Sequence, residues 1–127
     1  MNLALWIAAG LLAVVALGGG ATKLFTPTAK LAAAPGGGWT ADVGPRFVRT
    51  LGGLEFLAAL GLTLPAVLGI APALVPVTAV CWVLLMIGAM ITHVRRGEYA
   101  FVTVNVIYLA VAAFIAWGRF VVEPFSG

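Results

Sequence analysis

Charge is what this chain has least of. Of its 127 residues only seven are Lys or Arg and four are Asp or Glu, 9% in all, against roughly 25% in an average soluble domain. No soluble core of this length can hide a sequence that is 63% hydrophobic, so a water-soluble fold is excluded. Cysteine is nearly absent as well. The single Cys81 excludes an intrachain disulfide and a Cys-x-x-Cys redox pair, so thiol chemistry by this chain alone is not expected. One histidine, His93, with no second His or Cys near it, makes no zinc site. The net charge of +3 comes from basic residues scattered at the ends of apolar stretches, and a nucleic-acid surface would gather them on one soluble face.

What the chain does have is long apolar runs. Met1 to Thr22 carries no charged side chain, Phe56 to Val94 carries only His93 among groups that titrate near neutrality, and Tyr99 to Gly118 carries none. A helix needs about 20 apolar residues to cross the hydrocarbon. Pro65, Gly69, Pro72 and Pro76 break the middle run. The expected fold is all-α, a polytopic membrane four-helix bundle in one domain, with spans at about residues 3–22, 50–66, 75–94 and 100–118. The first run read as a cleaved signal peptide would end at the small residues Gly18 to Ala21, but no Lys or Arg precedes it.

Lys23, Lys30, Arg46 and Arg49 flank the first connection and Arg95 and Arg96 the third, while the tail has only Arg119. The positive-inside rule therefore places the first and third connections in the cytoplasm and both termini outside. Residues 23–49 form a cytoplasmic loop in which Thr28 to Ala34 can make a short surface helix. Pro35 to Trp39 is read as flexible, and a loop of this length is a candidate lid.

Glu55 lies inside the second apolar run, where an ionisable group needs protein or trapped water around it and a partner. Its helical neighbours Gly52, Ala58 and Ala59 point it inward. Glu55 either ties helices together or serves a function. Lys23, ending a stripe of Ala9, Leu12, Ala16, Gly19 and Gly20, is either a snorkelling anchor or the counter-ion of Glu55. Arg49 precedes Glu55 by six residues, about 9 Å, and is no obvious direct partner. The third span aligns Trp82, Met86, Met90 and His93, which serve either packing or ligand contact. Neutral His93 can exchange a proton with Glu55. The fourth span aligns Asn105, Tyr108, Ala112 and Arg119, with Arg119 an anchor at the outer rim. Lys23, Glu55, His93 and Asn105 thus come from four helices and one half of the bundle, which suggests a polar pocket at the cytoplasmic side and no continuous aqueous pore.

Gly-Ala-Thr-Lys23-Leu-Phe, Arg49-x-x-Gly-x-x-Glu55 running to Leu64-Pro65, Met86-Ile-Gly-Ala-x-x-Thr92-His93-x-Arg-Arg-Gly-Glu98, and Asn105 with Arg119 resemble the DoxX-like membrane proteins over nearly the whole chain. The resemblance implies a four-helix bacterial inner-membrane protein and marks Lys23, Arg49, Glu55, Thr92, His93, Asn105 and Arg119. Relatives include membrane subunits associated with thiosulfate:quinone oxidoreduction, so the partners implied are other protein subunits, a second copy of this chain, or membrane lipids, and the cofactor implied is a quinone or lipid. Three functions compete. The first is an accessory or assembly subunit of a redox-related membrane complex, with no enzyme activity of its own. The second is a quinone- or lipid-binding protein using Glu55 and His93, with Met86, Met90 and Trp82 as apolar lining. The third is a proton-coupled transporter subunit, for which no inverted repeat or broken helix speaks.

Overall fold

The computed structural model describes residues 1–125. Five α-helices follow one another: α1 (Asn2–Phe25), the short α2 (Thr28–Ala33), α3 (Trp39–Leu68), α4 (Leu74–Arg95) and α5 (Tyr99–Trp117), the last running on into a π-helical turn, Gly118–Val122. Four of these, α1, α3, α4 and α5 with its extension, are long and apolar enough to cross a membrane. The all-α polytopic bundle expected from the apolar runs is what the chain forms.

Two breaks shape α3. At Gly44 the backbone turns to φ 84°, ψ 165°, a region that costs glycine little and other residues much. Pro45 follows, where its fixed φ suits the first turn of a helix and its missing N–H is not needed. The piece Trp39–Val43 is therefore set at an angle to the spanning piece that starts at Pro45. At the other end, Pro65 cannot donate back to Gly61, and Gly69 at φ 68° closes the helix by donating to the Pro65 carbonyl. Helical structure thus begins well before the apolar edge near residue 50, because the backbone geometry of Gly44-Pro45, and not hydropathy, sets where the turn lies.

In lipid the apolar side chains gain little by leaving their solvent, so the helices associate through close packing. Helix α1 lies along α3 and α4 along α5, and the two pairs meet through α3 with α4 and α1 with α5. The core is built from small and medium side chains: Ala9, Leu12 and Ala16 of α1, Ala59 and Leu62 of α3, Val75, Ala79, Trp82 and Met86 of α4, Ala112 and Ile115 of α5. Outward faces carry large exposed apolar residues such as Leu11, Leu57, Leu84 and Ile107, the surface a bilayer would cover.

Helices α1 and α3 approach each other glycine on glycine. A Cβ at Gly20 would lie 2.7 Å from the Gly52 carbonyl oxygen and 2.8 Å from the Phe56 nitrogen, and one at Gly52 would lie 2.8 Å from Lys23 Cβ. The two backbones touch, and that contact sets Lys23 of α1 beside Glu55 of α3.

Candidate ligand site

Glu55 is buried in the middle of α3, and its Oε2 lies 2.8 Å from Lys23 Nζ. Of the two readings of Lys23, the structure adopts the counter-ion. The Glu55 side chain is only 7% exposed against 20% for Lys23, so the carboxylate is the more deeply held partner. Gly19 leaves room for it, since a Cβ there would stand 3.2 Å from Glu55 Oε1.

His93 takes a different partner from the one expected. Its Nδ1 lies 2.9 Å from Glu98 Oε1, and its ring stacks on Phe101 with centroids 5.4 Å apart. The cause is local. Helix α4 ends in a Schellman turn: Gly97 sits at φ 69°, the Glu98 N–H donates to the His93 carbonyl at 2.9 Å and the Gly97 N–H to the Val94 carbonyl at 3.1 Å. That turn carries Glu98 back over the last helical turn and onto the imidazole. Glu98 also meets Arg96 Nε at 3.5 Å, and Arg96 Nη1 donates to Asp42 Oδ2 at 3.0 Å. A chain of charge, Asp42–Arg96–Glu98–His93, therefore links the bent start of α3 to the α4–α5 turn. Gly36 packs against the Phe101 ring and Gly38 against the Arg96 guanidinium, which lays the α2–α3 connection over this end of the bundle.

Between these groups lies a cavity of about 840 Å³. Lys23, Glu55, His93, Thr92, Asn105 and Tyr108 supply its polar lining, with Asp42, Arg95 and Arg96 at one end. Val15, Phe47, Leu51, Trp82, Leu85 and Met86 supply apolar wall. It also reaches Val14 and Leu84, which are 70% and 64% exposed on the outside of the bundle. Each of these precedes a polar residue of the site on its own helix by nine positions (Lys23 and His93), roughly 14 Å along the axis. The cavity is thus polar at the helix ends and opens laterally at the depth where lipid chains would lie.

Seven of the nine residues singled out from sequence line this one cavity: Lys23, Glu55, Met86, Thr92, His93, Asn105 and Tyr108. Two do not. Arg49 is exposed and Met90 is half-buried, and neither borders the cavity. The Thr92 hydroxyl is spent on its own helix, donating to the Gly88 carbonyl at 2.9 Å. Sequence reasoning passed over Asp42, Arg96 and Phe101 as site components; the glycine after Arg96, marking a C-cap that folds Glu98 back, was the available signal. Among the described residues no three His, Cys, Asp or Glu side chains gather as a metal-ligand set.

Arg119 departs from its expected role as a rim anchor. It is 4% exposed, its guanidinium lies 3.9 Å from the Phe125 ring centroid and 6.0 Å from that of Trp6, and it donates to the Glu123 carbonyl at 3.0 Å. The π-helical turn and the tail after it wrap back to enclose it, so the far end of the bundle holds a cation covered by aromatic faces.

Neither curated proteins nor solved structures give a match to this chain. A family model does: that of the DoxX-like family matches residues 7–115, from the first turns of α1 to the last turn of α5, so most of each span and every residue that lines the cavity lie within it. The chain is a multi-pass membrane protein and belongs to the DoxX-like family.

Proposed function

We propose that this protein binds a membrane amphiphile, a quinone or a lipid, in the cavity between its four helices. The observation that carries this reading is the form of the cavity: about 840 Å³, within the range of roughly 300–1,000 Å³ of small-molecule sites, with polar groups converging at one end and apolar walls that run out to the side of the bundle at Val14 and Leu84. An amphiphile entering from the bilayer keeps its chain against Val15, Leu85 and Met86 and brings its head to Lys23, Glu55 and Asn105. The charged end, with Lys23, Lys30, Arg46, Arg49, Arg95 and Arg96, faces the cytoplasm under the positive-inside rule. Alkaline phosphatase fused after the last residue should then be active, and an inactive fusion would reverse the orientation.

Gly18 and Gly88 provide the test of the cavity itself. Both line it, and a Cβ at either would meet nothing within 4 Å. The double substitution Gly18→Leu, Gly88→Leu should fill the opening while leaving helix packing intact. Native mass spectrometry of the protein released from nanodiscs should show a co-purifying amphiphile on the wild type and at least about a tenfold loss in the double variant, equivalent to about 1.4 kcal/mol. Equal occupancy in both would overturn the reading.

The second reading is an accessory subunit of a redox-related complex. It is supported by membership of the DoxX-like family, and with a single cysteine in the chain any electron transfer needs a partner or a bound quinone. The same preparation distinguishes the two: a stoichiometric partner protein with no bound amphiphile favours the accessory subunit.

A further inference from the structure

We infer that the segment from Gly36 to Val43 is a door at the charged end of the cavity, latched by the Asp42–Arg96 pair and turning about Gly44, which admits water-soluble molecules to the polar groups inside. The lateral opening at Val14 and Leu84 serves what the bilayer carries, and the door gives the same site a second, aqueous entrance. Trp39, Asp42 and Val43 all line the cavity. Spaced three and four apart, they share one face of their short helical piece, and that face forms cavity wall. Glycine bounds the piece at both ends, with Gly36, Gly37 and Gly38 before it and Gly44 after it. Within it, the Thr40 hydroxyl and N–H both donate to the Gly37 carbonyl, at 2.7 and 3.1 Å, so the turn holds its own shape and moves as a unit. Gly44 is the hinge. Its φ of 84° is open to glycine at little cost, and a Cβ there would meet nothing within 4 Å, so no neighbouring group obstructs a change of its dihedral angles.

What holds the door shut is weak. Among the described residues, the only side-chain hydrogen bond or ion pair from residues 39–43 to the α4–α5 end is the one from Arg96 Nη1 to Asp42 Oδ2 at 3.0 Å. The two side chains are 36% and 71% exposed, and an ion pair so open to water adds little and is screened by salt. Opening it strands no charge, because Asp42 turns into water and Arg96 keeps Glu98 at 3.5 Å. The other contacts at this edge are Gly36 on the Phe101 ring and Gly38 on the Arg96 guanidinium, which offer no side chain of the door to interlock. The pairs of the site itself, Lys23 with Glu55 and His93 with Glu98, do not involve the door and stay in place when it swings.

The test needs no ligand, so the door and amphiphile binding can fail separately. A single cysteine is placed at Ala89, which lines the cavity and precedes Arg95 by six residues, about 9 Å below the helix end, in a Cys81→Ser background. The protein is held in nanodiscs, whose lipid covers the lateral opening, and labelled with a charged, membrane-impermeant methanethiosulfonate. Asp42→Ala should speed labelling about two- to fivefold, the worth of one exposed ion pair, and should melt like its parent because Asp42 is exposed. Raising the salt from about 0.01 M to about 1 M, which shortens the Debye length from about 30 Å to about 3 Å, should speed the parent and leave Asp42→Ala unchanged. Gly44→Ala should label faster still and respond to neither change, since alanine before proline takes extended backbone at negative φ and swings the piece off the cavity. Labelling at one rate in all three proteins at both salts overturns the inference. So does a parent whose cysteine reacts as fast as in the denatured chain, because the cavity would then have no door.

Discussion

Lys23→Met should destabilise the bundle by about 3 kcal/mol, the lower end of the range for removing one partner of a buried ion pair. The cost arises because Glu55 stays where it is: its side chain is 7% exposed on a helix fixed by the Gly20–Gly52 contact, and its nearest cation at 2.8 Å is gone. The lower end applies because the Lys23 side chain is itself 20% exposed, which screens part of the interaction. Glu55→Leu alone should cost less, since a lone lysine near a helix end can snorkel toward headgroups. The double variant Lys23→Met, Glu55→Leu should return close to wild-type stability, as buried pairs replaced together by apolar side chains usually do. Unfolding of all four proteins in mild detergent checks this. A Lys23→Met protein within about 0.5 kcal/mol of wild type would mean that water reaches Glu55 freely. If the double variant is stable and no longer binds an amphiphile, the pair is there for the ligand and not for the fold.

The features of this bundle that were legible in the sequence share one physical origin. Where a helix packs in lipid, small residues recur at helical spacing, and burial follows that stripe: Ala9, Leu12, Ala16 and Gly20 on α1; Gly52, Glu55, Ala59 and Leu62 on α3; Trp82, Met86 and His93 on α4; Asn105 and Ala112 on α5, with Arg119 in the π-helical turn that extends it. Glu55 stood out because a charge inside an apolar run has few explanations. Lys23 was legible only as one of two readings, a snorkelling anchor or the counter-ion of Glu55, and the rise per residue alone does not choose between them.

What was not legible depends on the path of the backbone between helices. His93 and Glu55 lie in the same half of the bundle, and periodicity alone would pair them; the Schellman turn at Gly97 instead places Glu98 on the imidazole. The bend at Gly44 brings Asp42 to Arg96, a contact between residues 54 positions apart that no local pattern encodes. Arg119 lies at the end of a helix, where a cation is expected to reach for water, yet the π-helical turn and the following segment bring Phe125 over it. In each case the residue was visible and its partner was not, because the partner is supplied by a turn whose direction hydropathy does not specify.

The same reasoning makes the Gly20–Gly52 contact a sensitive place in the bundle. Gly20→Val should cost at least about 3 kcal/mol, the upper end of ordinary overpacking, because the atoms in its way are the Gly52 carbonyl and the Phe56 main chain, at 2.7 and 2.8 Å from a Cβ. Main-chain atoms inside α3 cannot rotate aside as a side chain would, so α1 has to move outward along much of its length. Gly52→Val meets the Gly20 carbonyl at 2.9 Å and Lys23 Cβ at 2.8 Å and should behave alike. The controls are Gly10→Ala and Gly53→Ala, where nothing lies within 4 Å; these should stay within about 1 kcal/mol of wild type, on the stabilising side if the helix preference for alanine is felt. The prediction extends from stability to function. Any Gly20 variant that still folds separates α1 from α3, pulls Lys23 away from Glu55 and widens the cavity, so it should lose amphiphile binding even at a temperature where it remains helical. A Gly20→Val protein that melts like wild type and binds normally would show that the two helices have slack between them, and with it the account of how the site is positioned would fail.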